Sequence, residues 1–539
     1  MLHLRRLVSA FVGSPWGDDV IEGRYAAHPG LVYRERPRTF AELLYGVGRW
    51  APRTFLVHAD RRITFGEFFA AIDAARNNLA PLGIQRGDRV LLQAYNSPEW
   101  VLALWAVWSL GAVPVLGNRW WSPPETAHCI DLIKPRAVLT DAEHPAADVP
   151  VLDMADLAGC FGAAGSPTPR IPGPVDEEDP AVILFTSGST GMPKAVELPF
   201  RSVVANQQNV LARSRQLPHR IPDPGPASAV ADGPQSVNLI STPLFHIGAF
   251  ATLLTQTITG SRIVLSTGRF DPEQVLALIE RERVHRWGAV PTMAARLLEH
   301  PGFASHDLSS LRSFPLGGAP LPPVLLERLT RRLPQLARRG MVNMWGMTEG
   351  GGFFTVATGP DLERFPKTVG RALPTVELRI DGPDADGKGE IVVRSPTVML
   401  GYVGDSGGAI DSGGWLRTGD LGHLNEDGYL FIDGRSKDMV IRGGENIACP
   451  HVEAALMRHP DVVEAAALGL EHPDLGEELA AVVVYRPGGR APTAEELSAH
   501  MHGEVAYFAV PTRWVIRDQP LPTVGTEKID KRRLATEFT

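Results

Sequence analysis

Apolar and polar positions follow two rhythms along the chain. Short β-branched runs at residues 89–95 (RVLLQAY), 181–185 (AVILF) and 261–266 (SRIVLS) predict buried strands. Between them Phe68, Ile72, Ala75 and Leu79 recur at three- and four-residue steps, which predicts an amphipathic helix. Thr64 and Glu67 fit a capping box at its start. The most apolar stretch, residues 101–117, carries no charge but is shorter than a membrane span and holds Gly111 and Pro114. It predicts a buried helix leading into a strand, and the alternation as a whole predicts an α/β fold.

Two windows rich in Pro, Gly, Asp and Ser, residues 162–180 and 217–235, predict surface excursions that carry no core. The pattern restarts after residues 431–446, with helices at 451–458 and 493–505 and strands at 461–470, 480–485 and 513–517. This predicts a C-terminal α+β domain of about 100 residues. The expected organisation is a large N-terminal α/β domain of several subdomains, residues 1–434, followed by a smaller one, residues 435–539. No internal repeat or heptad array is visible.

Composition narrows the picture. A chain of 539 residues with 44% apolar and 21% charged positions belongs to the globular range and is long enough for more than one core. The 53 Lys and Arg against 61 Asp and Glu leave a net charge of −8, which offers no general attraction to nucleic acid. Cys129, Cys160 and Cys449 are too far apart for a metal-ligand spacing or a disulfide framework, so a reducing, cytoplasmic setting is expected. The opening MLHLRRLVSAFVG has too short an apolar run for a signal-peptide core and reads as a surface segment. No integral membrane segment is expected, and the pattern fixes no oligomeric state.

The window 186–194 (TSGSTGMPK) concentrates candidate chemistry. Thr186, Ser187, Gly188, Ser189, Thr190 and Gly191 are small or hydroxyl-bearing, which lets a backbone close around an anion, and Lys194 adds a fixed positive charge. Phosphate is the natural guest, and a plain Gly/Ser turn is the alternative. Met192 and Pro193 separate Gly191 from Lys194, unlike the usual nucleotide-triphosphatase loop. At residues 345–349 (WGMTE), Thr348 suits a phosphate oxygen and Glu349 suits the Mg²⁺ of a triphosphate; otherwise the pair is a helix cap and a surface charge. Asp420, in an RTGD turn, suits two ribose hydroxyls or simply stabilises the turn.

TSGSTGMPK resembles the phosphate-loop signature of the adenylate-forming superfamily of acyl-CoA synthetases, firefly-type luciferases and adenylation domains. PLFHIGAF (243–250), LGGAPL (316–321), NMWGMTEG (343–350), WLRTGDLG (415–422), DGRSKDMVIRGGENI (433–447) and LPTVGTEKIDKRRL (521–534) follow in the family's order. The resemblance runs from about Thr64 onward. It implies that the N-terminal domain holds ATP and an acid under a mobile C-terminal domain. Trp345 would lie near adenine in place of the commoner Tyr, with Gly317, Gly318 and Ala319 against the base and Asn343 and Gly346 beside it. Asp420 would hold ribose, Arg435 ribose or phosphate, and Lys437 would mark the pivot. Lys194, Thr348, Glu349 and Lys528 are the implied catalytic set, with Lys528 bridging carboxylate and α-phosphate. Gly443 and Gly444 would line the tunnel for the pantetheine of coenzyme A.

For the acid, the resemblance points to Phe245, His246, Gly248 and Met347, with Ala249 and Phe250 further along. Amino-acid adenylation domains usually place a carboxylate in the motif where this chain has Phe245 and His246, so an uncharged acyl or aryl tail is expected. Two departures stand out: Glu527 replaces the family's usual Gly before the lysine, and Phe200 replaces its usual His after the phosphate loop. Lys531, Arg532 and Arg533 read as a solvated basic face. The implied activity is an acyl-CoA ligase that joins a hydrophobic acid to CoA through an acyl-adenylate, using ATP and Mg²⁺ and releasing AMP and pyrophosphate. The alternatives are a fatty acyl-AMP ligase that serves a carrier protein and a catalytically silent nucleotide-binding homologue.

Overall fold

The computed structural model describes residues 14–25, 28–144, 149–163, 165, 176–187, 192–221, 230, 233–337, 339–405, 407–435, 439–442, 445–472, 475–486, 488–502, 504–505, 507–524 and 527–538. Thr64 caps the helix Phe65–Leu79 through a complete capping box, and Phe68, Ile72, Ala75 and Leu79 are all buried on it. Ser97 caps Pro98–Ser109, every residue of which is buried. Gly111, at φ +72°, takes the left-handed conformation that ends this helix and turns the chain into the strand Val113–Leu116. Trp108 ties the helix to the sheet by donating its indole N–H to the Ala181 carbonyl at 2.8 Å.

Three large sheets and the two-stranded pair Val20–Tyr25 and His28–Tyr33 build the large domain among the described residues. A seven-stranded sheet runs in the order Gly401–Tyr402, Pro193–Pro199, Pro180–Ser187, Val113–Leu116, Arg89–Gln93, Ala137–Thr140, Val151–Asp153. It is parallel from Pro180–Ser187 onward, and the Pro193–Pro199 strand returns antiparallel. A five-stranded sheet is formed by Arg286–Trp287, Val237–Ile240, Arg262–Leu265, Thr54–His58 and Arg61–Thr64. The third, of eight strands, begins Phe314–Gly317, Met341–Met347, Gly352–Thr358, Thr368–Ala372, Leu430–Arg435, Trp415–Leu424 and ends with Gly389–Arg394 and Glu377–Asp381.

Sheet membership changes between Arg435 and Met439. From there Met439–Arg442 and Glu445–Ala448 join Gly476–Tyr485, Val462–His472 and Arg513–Arg517 in a separate five-stranded sheet. The helices Cys449–Leu456 and Ala494–His502 pack on it and close a core of their own around Val452, Leu456, Leu479, Leu497 and Met501.

One expectation needs correction. The 217–235 window does carry core, since Leu217 and Val230 are both buried in the main cluster. Arg53 holds the second anchor in place by donating to the Val230 carbonyl at 3.0 Å. Averaging composition over the window hides two apolar residues among many polar ones. The stretches 166–175 and 222–229, like the opening 1–13, lie outside the described residues. Among the described residues no helix is long and apolar enough to cross a membrane. All three cysteines are buried and none forms a disulfide.

Candidate active site

The nucleotide side is organised by the eight-stranded sheet. Phe314–Gly317 and Met341–Met347 run parallel with Gly317 opposite Met344. A Cβ on Gly317 would sit 2.8 Å from the Met344 carbonyl oxygen, so only glycine permits this approach. A register shift falls between Trp345 and Gly346 against the antiparallel strand Gly352–Thr358. Trp345 is buried there and donates its indole N–H to Asp420 Oδ2 at 2.7 Å. Asp420 is itself buried, donates its backbone N–H to Thr418 Oγ1 at 3.1 Å, and stands directly across the ladder from Arg435. The implied adenine and ribose residues are thus in contact. Asn343 instead ties strands together, donating to the Thr368 carbonyl at 3.0 Å.

The phosphate side lies where two sheets meet. Thr186 is opposite Lys194 in the hairpin of Pro180–Ser187 and Pro193–Pro199. Lys194 Nζ lies 4.8 Å from the centre of the Tyr402 ring, within cation–π range. The Tyr402 hydroxyl donates to Glu349 Oε1 at 2.9 Å, so one aromatic side chain links the loop lysine to the candidate metal ligand. Burial, and then the Glu349 charge, push the Tyr402 hydroxyl well above its ordinary pKa and keep it a donor. Glu349 and Thr348 share the short turn Thr348–Gly350, and the Glu349 carbonyl accepts from the Met399 N–H at 2.9 Å. The Ser187 side chain and Gly188, Ser189, Thr190 and Gly191 lie outside the described residues.

A magnesium ion fits this arrangement. No cluster of three or more His, Cys, Asp or Glu side chains among the described residues forms a closed metal cage. Mg²⁺ on a nucleotide needs no such cage, because one or two carboxylates with phosphate oxygens and waters complete its octahedron. Glu349 supplies a carboxylate with its Oε1 fixed by Tyr402, beside the cation of Lys194.

On the acid side, His246 is the N-cap residue of the helix Ile247–Thr259. Its Nε2 is buried and has no hydrogen-bond partner among the described residues. Burial, reinforced by the charge of Lys528, pushes its pKa down to about 3, so the ring is neutral. The Phe245 ring lies 4.5 Å from that of His246 and meets Trp120 edge-on at 5.5 Å. Asn96 clamps the approach to this pair, donating to the Thr242 carbonyl at 2.9 Å and accepting from the Leu244 N–H at 2.8 Å.

A narrow cleft opens beside Phe245, lined by Tyr95, Trp120, Phe270, Met293 and Glu527 among others. Ala249 and Phe250 are not in that lining; both are core, with Phe250 against Trp108 at 6.1 Å. Met347 packs against the main core, and nothing lies within 4 Å of a Cβ on Gly248.

Lys528 opens the return strand Lys528–Ile529 of a hairpin with Thr523–Val524. Its Cε is 3.8 Å from where a Cβ on Gly318 would stand, which brings it to the nucleotide strands. Glu527, immediately before it, has φ +59°. A three-residue hairpin connection puts its last residue in the left-handed region, which explains why glycine suits this position. A side chain there costs roughly 1–2 kcal/mol. Glu527 offsets the strain with two contacts, accepting from Arg296 Nη1 at 2.5 Å and from Thr523 Oγ1 at 3.0 Å.

The other departure is a packing substitution: Phe200 is fully buried and meets Phe40 edge-on at 4.8 Å. The basic run also differs from expectation, because Lys531 is only 27% exposed and pairs with Glu453 at 2.7 Å. Lys437, Gly443, Gly444 and the Arg435 side chain lie outside the described residues. Nothing in the sequence marked Tyr402, Asn96 or Arg296, whose partners are all distant in the chain.

A buried carboxylate bonded to an indole, a lysine linked through an aromatic ring to a second carboxylate, and an aromatic cleft bordered by the residue before the small-domain lysine suit an enzyme that activates acids with a nucleotide. Residues 46–403 match the AMP-binding enzyme family and residues 451–528 its C-terminal domain. The chain belongs to this adenylate-forming family, in its acyl-CoA synthetase branch, and is an acid–thiol ligase. It is 33% identical to a feruloyl-CoA synthase of Amycolatopsis sp, covering 92% of this chain and 99% of the relative. It is 30% identical to the mitochondrial medium-chain acyl-CoA ligase ACSF2 of Macaca fascicularis, covering 89% and 84% respectively. Among solved structures, o-succinylbenzoate CoA synthetase from Bacillus subtilis with its acyl-adenylate intermediate superposes with a TM-score of 0.76 at 28% identity, over 91% of this chain and 97% of that one. ATP-bound MatB from Rhodopseudomonas palustris gives 0.76 at 26% identity, over 93% and 99%.

Proposed function

We propose that this ligase joins CoA to a hydrophobic carboxylic acid with an uncharged acyl or aryl tail, by way of an acyl-adenylate. The observation that carries this reading is the cleft: Tyr95, Trp120, Phe245 and Phe270 line it, and neutral His246 adjoins it. Among the described residues that line it the single acidic side chain, Glu527, is already paired with Arg296, so none of them offers an unpaired carboxylate to a substrate ammonium. The feruloyl-CoA synthase, a 30%-identical indoleacetate–CoA ligase of Aromatoleum aromaticum and ACSF2 all act on acids that fit such a lining.

In the first half-reaction a carboxylate oxygen of the acid attacks the α-phosphorus of ATP, and the bond to pyrophosphate breaks. Asp420, oriented by Trp345, accepts from the ribose hydroxyls, and Lys194 and Thr186 face the phosphates. Mg²⁺ held by Glu349 would neutralise charge on the leaving pyrophosphate. Lys528 supplies the cation where charge shifts from carboxylate to phosphate, and acts most strongly when water is excluded. In the second half-reaction the CoA thiol attacks the acyl carbonyl and AMP leaves, after the small domain pivots near Lys437 and presents Gly443 and Gly444. Three buried thiols suit a reducing compartment such as the cytoplasm.

The test is pyrophosphate and AMP release with ATP and Mg²⁺ across medium-chain, long-chain and aryl acids, with and without CoA. Turnover that requires CoA and favours acids with apolar tails is expected. Activity confined to amino acids, or adenylate formed but never passed to CoA, would refute the reading.

A further inference from the structure

Arg296 makes three hydrogen bonds from the large domain to the small one, and the reaction scheme above makes no use of it. It sits on the helix Pro291–Glu299 of the large domain, with its side chain 21% exposed. Each guanidinium nitrogen reaches a different part of the small domain. Nη1 donates to Glu527 Oε2 at 2.5 Å, Nε to Glu464 Oε1 at 3.1 Å, and Nη2 to the Leu521 carbonyl at 3.1 Å. The acceptors are themselves cross-linked: the Leu521 N–H donates to Glu464 Oε2 at 2.9 Å and Thr523 Oγ1 to Glu527 Oε2 at 3.0 Å. Glu464 lies on Val462–His472, the strand that carries the small domain's core, while Leu521, Thr523 and Glu527 belong to the hairpin that presents Lys528.

We propose that Arg296 and Glu527 are a positioning pair for Lys528, specific to the first half-reaction, and this rests on the role assigned to Lys528 above. A planar guanidinium with three anchored acceptors fixes orientation as well as distance, which a point charge cannot do. Glu527 precedes Lys528 directly, so clamping its carboxylate sets the direction in which the lysine leaves the hairpin. The glycine usual at this place supplies conformational freedom; the glutamate in this chain supplies an attachment to the large domain. Met293, one turn before Arg296 on the same helix, lines the acid cleft together with Glu527. The pair therefore joins the wall of the acid site to the lysine that acts on the acid. When the small domain pivots for thioester formation, all three contacts from Arg296 must break, so the pair holds only the adenylating arrangement.

The experiment compares half-reactions in Arg296→Met, Glu527→Gln, the double variant and Lys528→Ala. Adenylation is followed by pyrophosphate release in single turnover and thioester formation from supplied acyl-adenylate and CoA. Arg296→Met is expected to slow adenylation by about 10- to 100-fold, the scale of a small misplacement of a reacting group. Glu527→Gln, which keeps shape and part of the hydrogen bond, is expected to slow it by about 3- to 10-fold, and the double variant to be no slower than Arg296→Met alone. Thioester formation should stay at the parent rate or rise. Equal loss in both half-reactions, or additive losses in the double variant, would overturn the pair. Should Arg296→Met misfold, Glu527→Gln carries the test, and an unchanged adenylation rate there would overturn the proposal. If Lys528→Ala abolishes adenylation while Arg296→Met leaves it intact, the pair alone fails. If Lys528→Ala leaves adenylation intact, the role of Lys528 fails and takes the pair with it.

Discussion

The indole N–H of Trp345 is bonded to Asp420 Oδ2 at 2.7 Å, so the aromatic residue of the WGMTE segment fixes the carboxylate of the RTGD turn. Trp345→Phe keeps an aromatic face but removes that donor. A hydrogen bond to a charged acceptor contributes about 1.5–3 kcal/mol. The KM for ATP should rise by about tenfold or more on this basis, with the KM for the acid unchanged. Steady-state kinetics with each substrate varied in turn provides the check, and a matching rise in both constants would count against the coupling.

Tyr402 has two separable functions, its hydroxyl on Glu349 and its ring under Lys194. Tyr402→Phe should shift only the Mg²⁺ titration of pyrophosphate release, by about tenfold or more, because a hydrogen bond to a charged group is lost. Tyr402→Ala should also raise the KM for ATP. Glu349→Gln should blunt the metal dependence itself; an unaltered titration would remove Glu349 as a ligand.

Acid should destabilise the fold in a defined window. Burial pushes both His28 and His246 down to about 3, whereas an unfolded chain takes up these protons near pH 6.5. Between those values the unfolded state binds more protons than the native state, so stability falls as pH is lowered from about 6.5 towards 3 and is fully present above it. Urea midpoints at pH 7.5, 5.5 and 4.5 should trace this decline. His28→Phe should make it shallower, and a slope identical to the parent's would refute the assignment.

Phe200 is a core residue, fully buried against Phe40. Phe200→Ala should lower unfolding stability by about 3–5 kcal/mol, the usual cost of emptying a buried aromatic site. Chemical denaturation measures this. The KM for CoA should remain at the parent value in the fraction that folds.

Local physics was legible before the structure. The helix Phe65–Leu79 announced itself because its cap and its apolar stripe are written within a few turns, and Pro98–Ser109 by unbroken apolarity followed by Gly111. The Asp420 and Trp345 positions were legible as motifs, but not their mutual bond, which closes only when two strands of one sheet come together. Arg296 reads in the sequence as an ordinary polar residue of an amphipathic helix. Its partners Glu464 and Glu527 belong to another domain, and no periodicity encodes such a meeting. Glu527 was visible as a departure, yet the positive φ and the ion pair that compensate it were not. Leu217 and Val230 were hidden by the opposite effect, two anchors inside a loop-like composition.

Asp420 and Arg435 face each other across a ladder whose second strand, Leu430–Arg435, is the last of the large domain before the sheet of the small one begins at Met439. The strand that leads into the small domain is therefore also the strand that backs Asp420. A load on the small domain would reach the Asp420 pairing through the three residues that separate Arg435 from Met439.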